Sequence, residues 1–173
     1  MRAAAPGTPV GVTTGAWAAA SPAERLAAIH SWQALPDFAS VNWHEPGAAE
    51  LATELLEHGV GVVAGLWTSL AVKSWRDWPR RGDCLRVLLE VVDDLTAADA
   101  VAAAGRLVAA LGPAPEVPVL LHGEGRSAWP VLEEAVHRGM DVRIGLEDVV
   151  WLPDGGLAAD NAELVAAARR LIT

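Results

Sequence analysis

Three residues in a six-residue stretch, Arg143, Glu147 and Asp148 of "RIGLED", have the types and spacing to do chemistry. They close an apolar, strand-like run on two adjacent carboxylates, with a guanidinium four residues before the first. A guanidinium within a strand is costly to bury unless a carboxylate pairs with it, and Asp148 or Glu147 is placed to do so. Such a pair has two uses. It can be a salt bridge closing the mouth of the sheet, or Arg143 can orient Asp148 as a general base and hold developing negative charge.

The elements that must position these groups follow from the hydrophobic pattern. Short Val- and Leu-rich runs alternate with longer alanine-rich segments of helical period, the signature of a parallel sheet with crossover helices. The strand-like runs are "PVGVTT" (9–14), "FASVNW" (38–43), "GVVAGLW" (61–67), "CLRVLLEV" (84–91), "PVLLHG" (118–123) and "VRIGLE" (142–147). Their apolar residues are continuous, as expected of strands covered on both faces. Helices are expected to start at Ser21-Pro22, with Glu24 completing a capping box, and at Glu45-Pro46, Thr96, Ser127, and Asp160 or Asn161. Gly59 is the expected end of the helix that follows Pro46.

Polar residues gather where these runs end. They are Thr13, Thr14 and Gly15; Asn42 with His44 and Glu45; Thr68; Glu90 with Asp93; His122 with Glu124; and Glu147 with Asp148. In parallel α/β folds the carboxyl ends of the strands carry the ligand site. His44 and His122 either bond to neighbouring loops or, with Glu147, make a ligand set. His30, His58 and His137 lie on helices and are expected at the surface. The eight tryptophans are expected mainly as core packing, with Trp17 and Trp67 best placed to line a pocket.

Composition narrows the classes. The chain has 173 residues, 52% of them hydrophobic, and a net charge of −9, with Lys and Arg scattered. That balance argues against nucleic acid as a partner. No apolar run reaches the roughly 18–20 residues of a membrane span, and "MRAAAPGTPV" lacks a signal-peptide core, so no membrane partner and a cytoplasmic location are expected. The single cysteine, Cys84, excludes an intramolecular disulfide and is expected as a buried strand thiol.

The segments "PVGVTTGAW" (9–17), "SVNWHEPGAAELATELLEHGVGVVAGLWT" (40–68), "LLHGEGRSAWP" (120–130) and "VRIGLEDVVWLPDGGLAADNAELV" (142–165) together resemble the β-keto acid cleavage enzymes, the family of 3-keto-5-aminohexanoate cleavage enzyme. The resemblance implies a zinc-dependent (β/α)8 TIM barrel. It also implies a Claisen-type exchange in which a β-keto acid and acetyl-CoA give acetoacetate and a new acyl-CoA. On that match Glu147 is the metal ligand, and Arg143 and Asp148 are the catalytic pair. Thr13, Thr14 and Gly15 line the substrate carboxylate pocket, and Ser40 and Asn42 form the polar end of the next strand.

Two departures accompany the resemblance. The family's other metal ligands are a His-x-His pair, which this sequence lacks, and a barrel needs eight strands where about six βα units are present. Both fit a single partial barrel domain over residues 1–173, strands 3 to 8 of the family barrel, with Met1 an internal start or truncation. Unpaired sheet edges in such a chain imply self-association into a homo-oligomer. Val63 stands where the family usually has a glutamate. A noncatalytic remnant or binding subunit is therefore the alternative to an enzyme.

Overall fold

The alternation of strand-like and helical runs becomes an α/β fold in the computed structural model, which describes residues 3, 6–92, 95–113 and 115–172. The strands are β1 (Gly11–Thr13), β2 (Phe38–Asn42), β3 (Gly61–Leu66), β4 (Arg86–Val91) and β5 (Val119–Gly123). Six helices accompany them: α1 (Pro22–His30), α2 (Ala48–Glu57), α3 (Ser69–Asp77), α4 (Ala97–Leu111), α5 (Ala128–His137) and α6 (Asn161–Ile172). Strand order is β1-β2-β3-β4-β5 in one sheet. The chain divides into two compact units, residues 1–87 and 88–173, with the division inside β4.

In the first unit β1, β2 and β3 are parallel, in a register that sets Thr13 beside Ser40 and Ser40 beside Val63. Val62 through Leu66 are all buried, which explains why β3 has no polar alternation. The apolar stripe of α2, Leu51, Ala52 and Leu55, packs on β2 and β3. Trp43, Trp75 and Trp78 are core residues, with the Trp43 and Trp78 rings 5.3 Å apart. β1 departs from the expected pattern, since all three of its residues are exposed.

In the second unit β5 is sealed by α5, and α4 packs on α5. Ala128, Val149 and Leu164 form a separate cluster with Trp129, Ile144 and Leu152 against it. The sixth expected strand, 142–147, does not form. A single parallel bridge joins Leu120 to Asp141, after which the chain turns. The Gly145 carbonyl accepts from the Asp148 and Val149 amides at 2.9 and 3.0 Å, and this local turn replaces the ladder that a strand would need.

Helix starts follow local chemistry. Ser21 accepts from the Glu24 amide, Thr96 from the Asp99 amide and Asp160 from the Glu163 amide, as the caps predict. Thr68 has the same role for α3, with its hydroxyl accepting from the Ala71 amide at 3.1 Å, and so is a cap rather than a group facing a ligand. Ser127 precedes α5 without capping it; its hydroxyl accepts instead from the Leu95 amide at 3.2 Å. α2 starts after Gly47, two residues beyond the expected point. Gly47 has a φ of 79°, and a Cβ there would meet Pro22 at 2.9 Å. Cys84 is buried just before β4, and burial raises its thiol pKa. Among the described residues no helix is long and apolar enough to cross a membrane.

Candidate functional site

Two polar clusters form at strand ends, one in each unit. In the second unit the turn that displaces the sixth strand also builds the site, because it swings Asp148 back onto Arg143. The Arg143 guanidinium donates from Nε to Asp148 Oδ2 at 3.2 Å and from Nη2 to Oδ1 at 2.7 Å. This two-point contact holds the guanidinium plane fixed. The Asp148 side chain is 1% exposed and that of Arg143 33%, so the arginine is the member of the pair that solvent reaches. Asn161 steadies the turn, its side-chain oxygen accepting from the Leu146 amide at 2.8 Å. The Asp148 carbonyl accepts from the Gly125 amide at 2.8 Å, which ties the turn to the loop after β5.

His122, from β5, is buried between two carboxylates, with Nε2 3.5 Å from Glu90 Oε2 and Nδ1 3.8 Å from Asp148 Oδ1. Neither ring nitrogen has a hydrogen-bond partner, an uncommon state for a buried imidazole. Burial raises the Asp148 pKa, opposed but not cancelled by Arg143 and His122. For Arg143 burial acts to lower the pKa, but the charges of Asp148 and Glu147 win and raise it. Burial acts to raise Glu90, yet the nearby His122 ring, with Glu124 and Arg143, outweighs it, and the net shift is downward. Glu124 shifts upward through burial and then through its interaction with Glu90. Of the two carboxyls, Glu124 is therefore the one pushed toward its protonated form and Glu90 the one pushed toward its ionised form. The expected strand-end partner of Glu90, Asp93, lies outside the described residues.

These opposite shifts have a measurable consequence. A carboxyl with a raised folded-state pKa adds stability that is fully present below its unfolded value and lost as pH rises through the folded one. Glu124→Gln removes that contribution while keeping a neutral donor beside Glu90. The stability of the variant relative to the wild type should therefore rise as pH increases through the ordinary carboxylate range and just above it in urea titrations. An offset that stays constant over that range would contradict the assignment. Glu90 has the opposite sign, its stability being lost as pH falls through its depressed value, and it is common to both proteins.

In the first unit the strand-end groups are bound to one another. The Thr14 hydroxyl donates to the Ser40 carbonyl at 2.7 Å, and Thr13 Oγ1 accepts from the Gly15 amide at 3.3 Å. Asn42 donates to Glu45 Oε1 at 3.0 Å, and Glu45 Oε2 accepts from Arg25 at 2.6 Å. Arg25 also donates to the carbonyls of Thr14 and Pro46. Gly65 is required here, because a Cβ would meet Asn42 Oδ1 at 2.7 Å. Of the five residues expected at the substrate, Thr14 and Asn42 thus have their polar atoms engaged within the protein. Thr13 is exposed, and Gly15 lies beneath the Trp17 ring. Trp17 itself is 69% exposed, while Trp67 stacks on His44 with ring centroids 4.2 Å apart.

Arg25 is the residue that strand-end reasoning does not find, since it comes from α1. Its signal is the spacing to Ile29: these two, four residues apart, are the buried positions of an alanine-rich helix.

A model of the beta-keto acid cleavage enzymes matches residues 1–173. The chain belongs to that family. No curated protein matches the chain. Family membership makes the metal a specific question. Glu147, expected from the resemblance as the metal ligand, is 83% exposed and 3.1 Å from Arg143 Nη2. Among the described residues it belongs to no group of three side chains able to hold an ion; the group that exists is His30, Glu54 and His58. The donor set around Glu147 therefore does not fit the zinc that the resemblance implies, which needs at least three protein ligands. Val63, where the resemblance leads one to expect a glutamate, is buried on β3 beside Ser40 and offers an apolar side chain there.

Proposed function

We propose that the chain provides the Arg143–Asp148 wall of a β-keto acid site serving acetyl-CoA-dependent cleavage. The reading rests on the two-point contact between a half-buried guanidinium and a buried carboxylate, in a member of the cleavage family. The hydrogens of a β-keto acid between its ketone and carboxylate are acidic, because the carbanion left behind delocalises into the ketone. Arg143 presents fixed N–H groups to that negative charge or to the substrate carboxylate. Asp148 orients the guanidinium, and its burial makes it a stronger base than an exposed aspartate. The carbanion attacks the acetyl thioester. The thiolate released then attacks the original ketone carbon, and the bond between that carbon and the substrate's C2 breaks. The carbanion left at C2 takes back the proton that Asp148 removed, so that acetoacetate and a new acyl-CoA result.

A second reading, a noncatalytic binding subunit, is favoured by Glu147 lacking co-ligands and by Val63. One experiment separates the two. Purified chain is mixed with acetyl-CoA and a set of β-keto acids, and acetoacetate is measured alongside binding by calorimetry. Turnover that Arg143→Ala abolishes supports the enzyme; saturable binding without turnover supports the binding subunit. Neither signal with any β-keto acid would remove both.

A further inference from the structure

Away from the strand ends, the first unit carries a cluster that neither the family site nor the mechanism uses. His30 is the last residue of α1, and Glu54 and His58 lie four residues apart at the end of α2. Because each helix runs back along the sheet, these C-terminal ends lie at the opposite rim from the strand ends that carry Asn42 and Thr14. α1 packs against α2, which brings the three side chains together. His30 Nε2 is 2.6 Å and His58 Nδ1 3.2 Å from the same oxygen, Glu54 Oε1. The imidazole rings are 5.4 Å apart at a tilt of 35°. One donor atom from each residue lies within 4.8 Å of the other two.

We propose that His30, Glu54 and His58 form a binding site for a zinc-class divalent cation that ties the end of α1 to the end of α2. Two imidazoles and one carboxylate are a ligand set that zinc accepts, with water in a fourth, solvent-facing position. Metal–ligand bonds of about 2.0–2.1 Å place tetrahedral ligand atoms roughly 3.3 Å apart, so only a slight opening of the present contacts admits an ion. His58 Nδ1 lies 2.9 Å from the Glu54 carbonyl. Both this contact and the one to Oε1 are to Glu54, so the ring is held close to the carboxylate. Helix position adds a second, independent attraction. Both helices end here, and the negative ends of their dipoles favour a cation. Side-chain exposures of 53% for His30, 25% for Glu54 and 35% for His58 leave an entry path. Imidazole nitrogen selects zinc, cobalt, nickel or copper over magnesium or calcium.

The test uses the full chain, free of any polyhistidine tag and stripped with chelator. Zinc is titrated by calorimetry and cobalt by visible absorption, which reports ligand geometry directly. One equivalent should bind to the wild type and raise its melting temperature. His30→Asn and His58→Asn should each weaken binding at least about tenfold to a hundredfold, and the double variant should bind none. Glu147→Gln should bind as the wild type does, which separates this site from the family's metal position. These are surface substitutions, and far-ultraviolet circular dichroism confirms that each variant is folded. No binding to the wild type, or unchanged binding to the double variant, overturns the proposal.

Discussion

Glu45→Ala is expected to lower the unfolding free energy by about 3–5 kcal/mol, one of the larger losses available to a single side chain in this protein. The pair it breaks is buried on both sides, with side-chain exposures of 4% for Arg25 and 6% for Glu45. Coulombic gain does not set the size of the effect, since desolvation of two charges offsets most of it. What is left behind sets it. Without Glu45, Arg25 retains the Thr14 and Pro46 carbonyls but no anion, and Asn42 loses the acceptor for its amide. Glu45→Gln keeps an acceptor and should lose less. Removing both charged groups should cost less than the two single losses added together, because Arg25→Ala deletes the stranded charge. Urea unfolding of the four proteins measures this cycle. A loss below about 1 kcal/mol for Glu45→Ala would show that water reaches the pair.

That pair also marks the limit of what the sequence makes legible. Helix starts at Ser21, Thr96 and Asp160 depend on groups three residues apart, and such local chemistry is visible in the order of residues. Arg25 and Glu45 are 20 residues apart on different elements, so only packing brings them together. Five strand-like runs formed strands, and in the inner ones a continuous apolar run suits a position between two neighbours, as Val62–Leu66 and Val87–Leu89 show. The run at 142–147 has similar composition but contains Gly145, whose carbonyl closes a turn, and Asn161 of α6, 15 residues after Leu146, stabilises that turn by accepting from the Leu146 amide. That Arg143 pairs with Asp148 or Glu147 was legible from charge and spacing, and the structure gives the two-point contact to Asp148. The burial that makes Asp148 the inner member and Arg143 the outer one was not, because it depends on Val149 packing with Ala128 and Leu164. His30, Glu54 and His58 read individually as surface groups; their convergence depends on how α1 lies against α2.

Arg143→Ala is expected to lower kcat for β-keto acid cleavage by about 100- to 1,000-fold, the scale for removing a fixed donor from developing negative charge. Arg143→Lys is the more searching substitution. It keeps the charge, but an ammonium cannot reproduce the two parallel contacts to Asp148, now 2.7 and 3.2 Å, and so cannot hold a fixed direction toward substrate. If Arg143 only closes the sheet by a salt bridge, lysine should restore most stability and leave catalysis intact. If its donors hold the transition-state charge, lysine should restore stability while kcat stays low. Asp148→Asn completes the argument. It leaves the guanidinium without its anion and removes the carboxylate that burial makes more basic, so kcat should fall while substrate affinity changes less. In a binding subunit the same three variants would change the dissociation constant of the β-keto acid instead, with Arg143→Ala the weakest binder because Arg143 is the exposed member of the pair. The split between kcat and affinity therefore assigns Arg143 its role and decides between the enzyme and the binding subunit in one set of measurements.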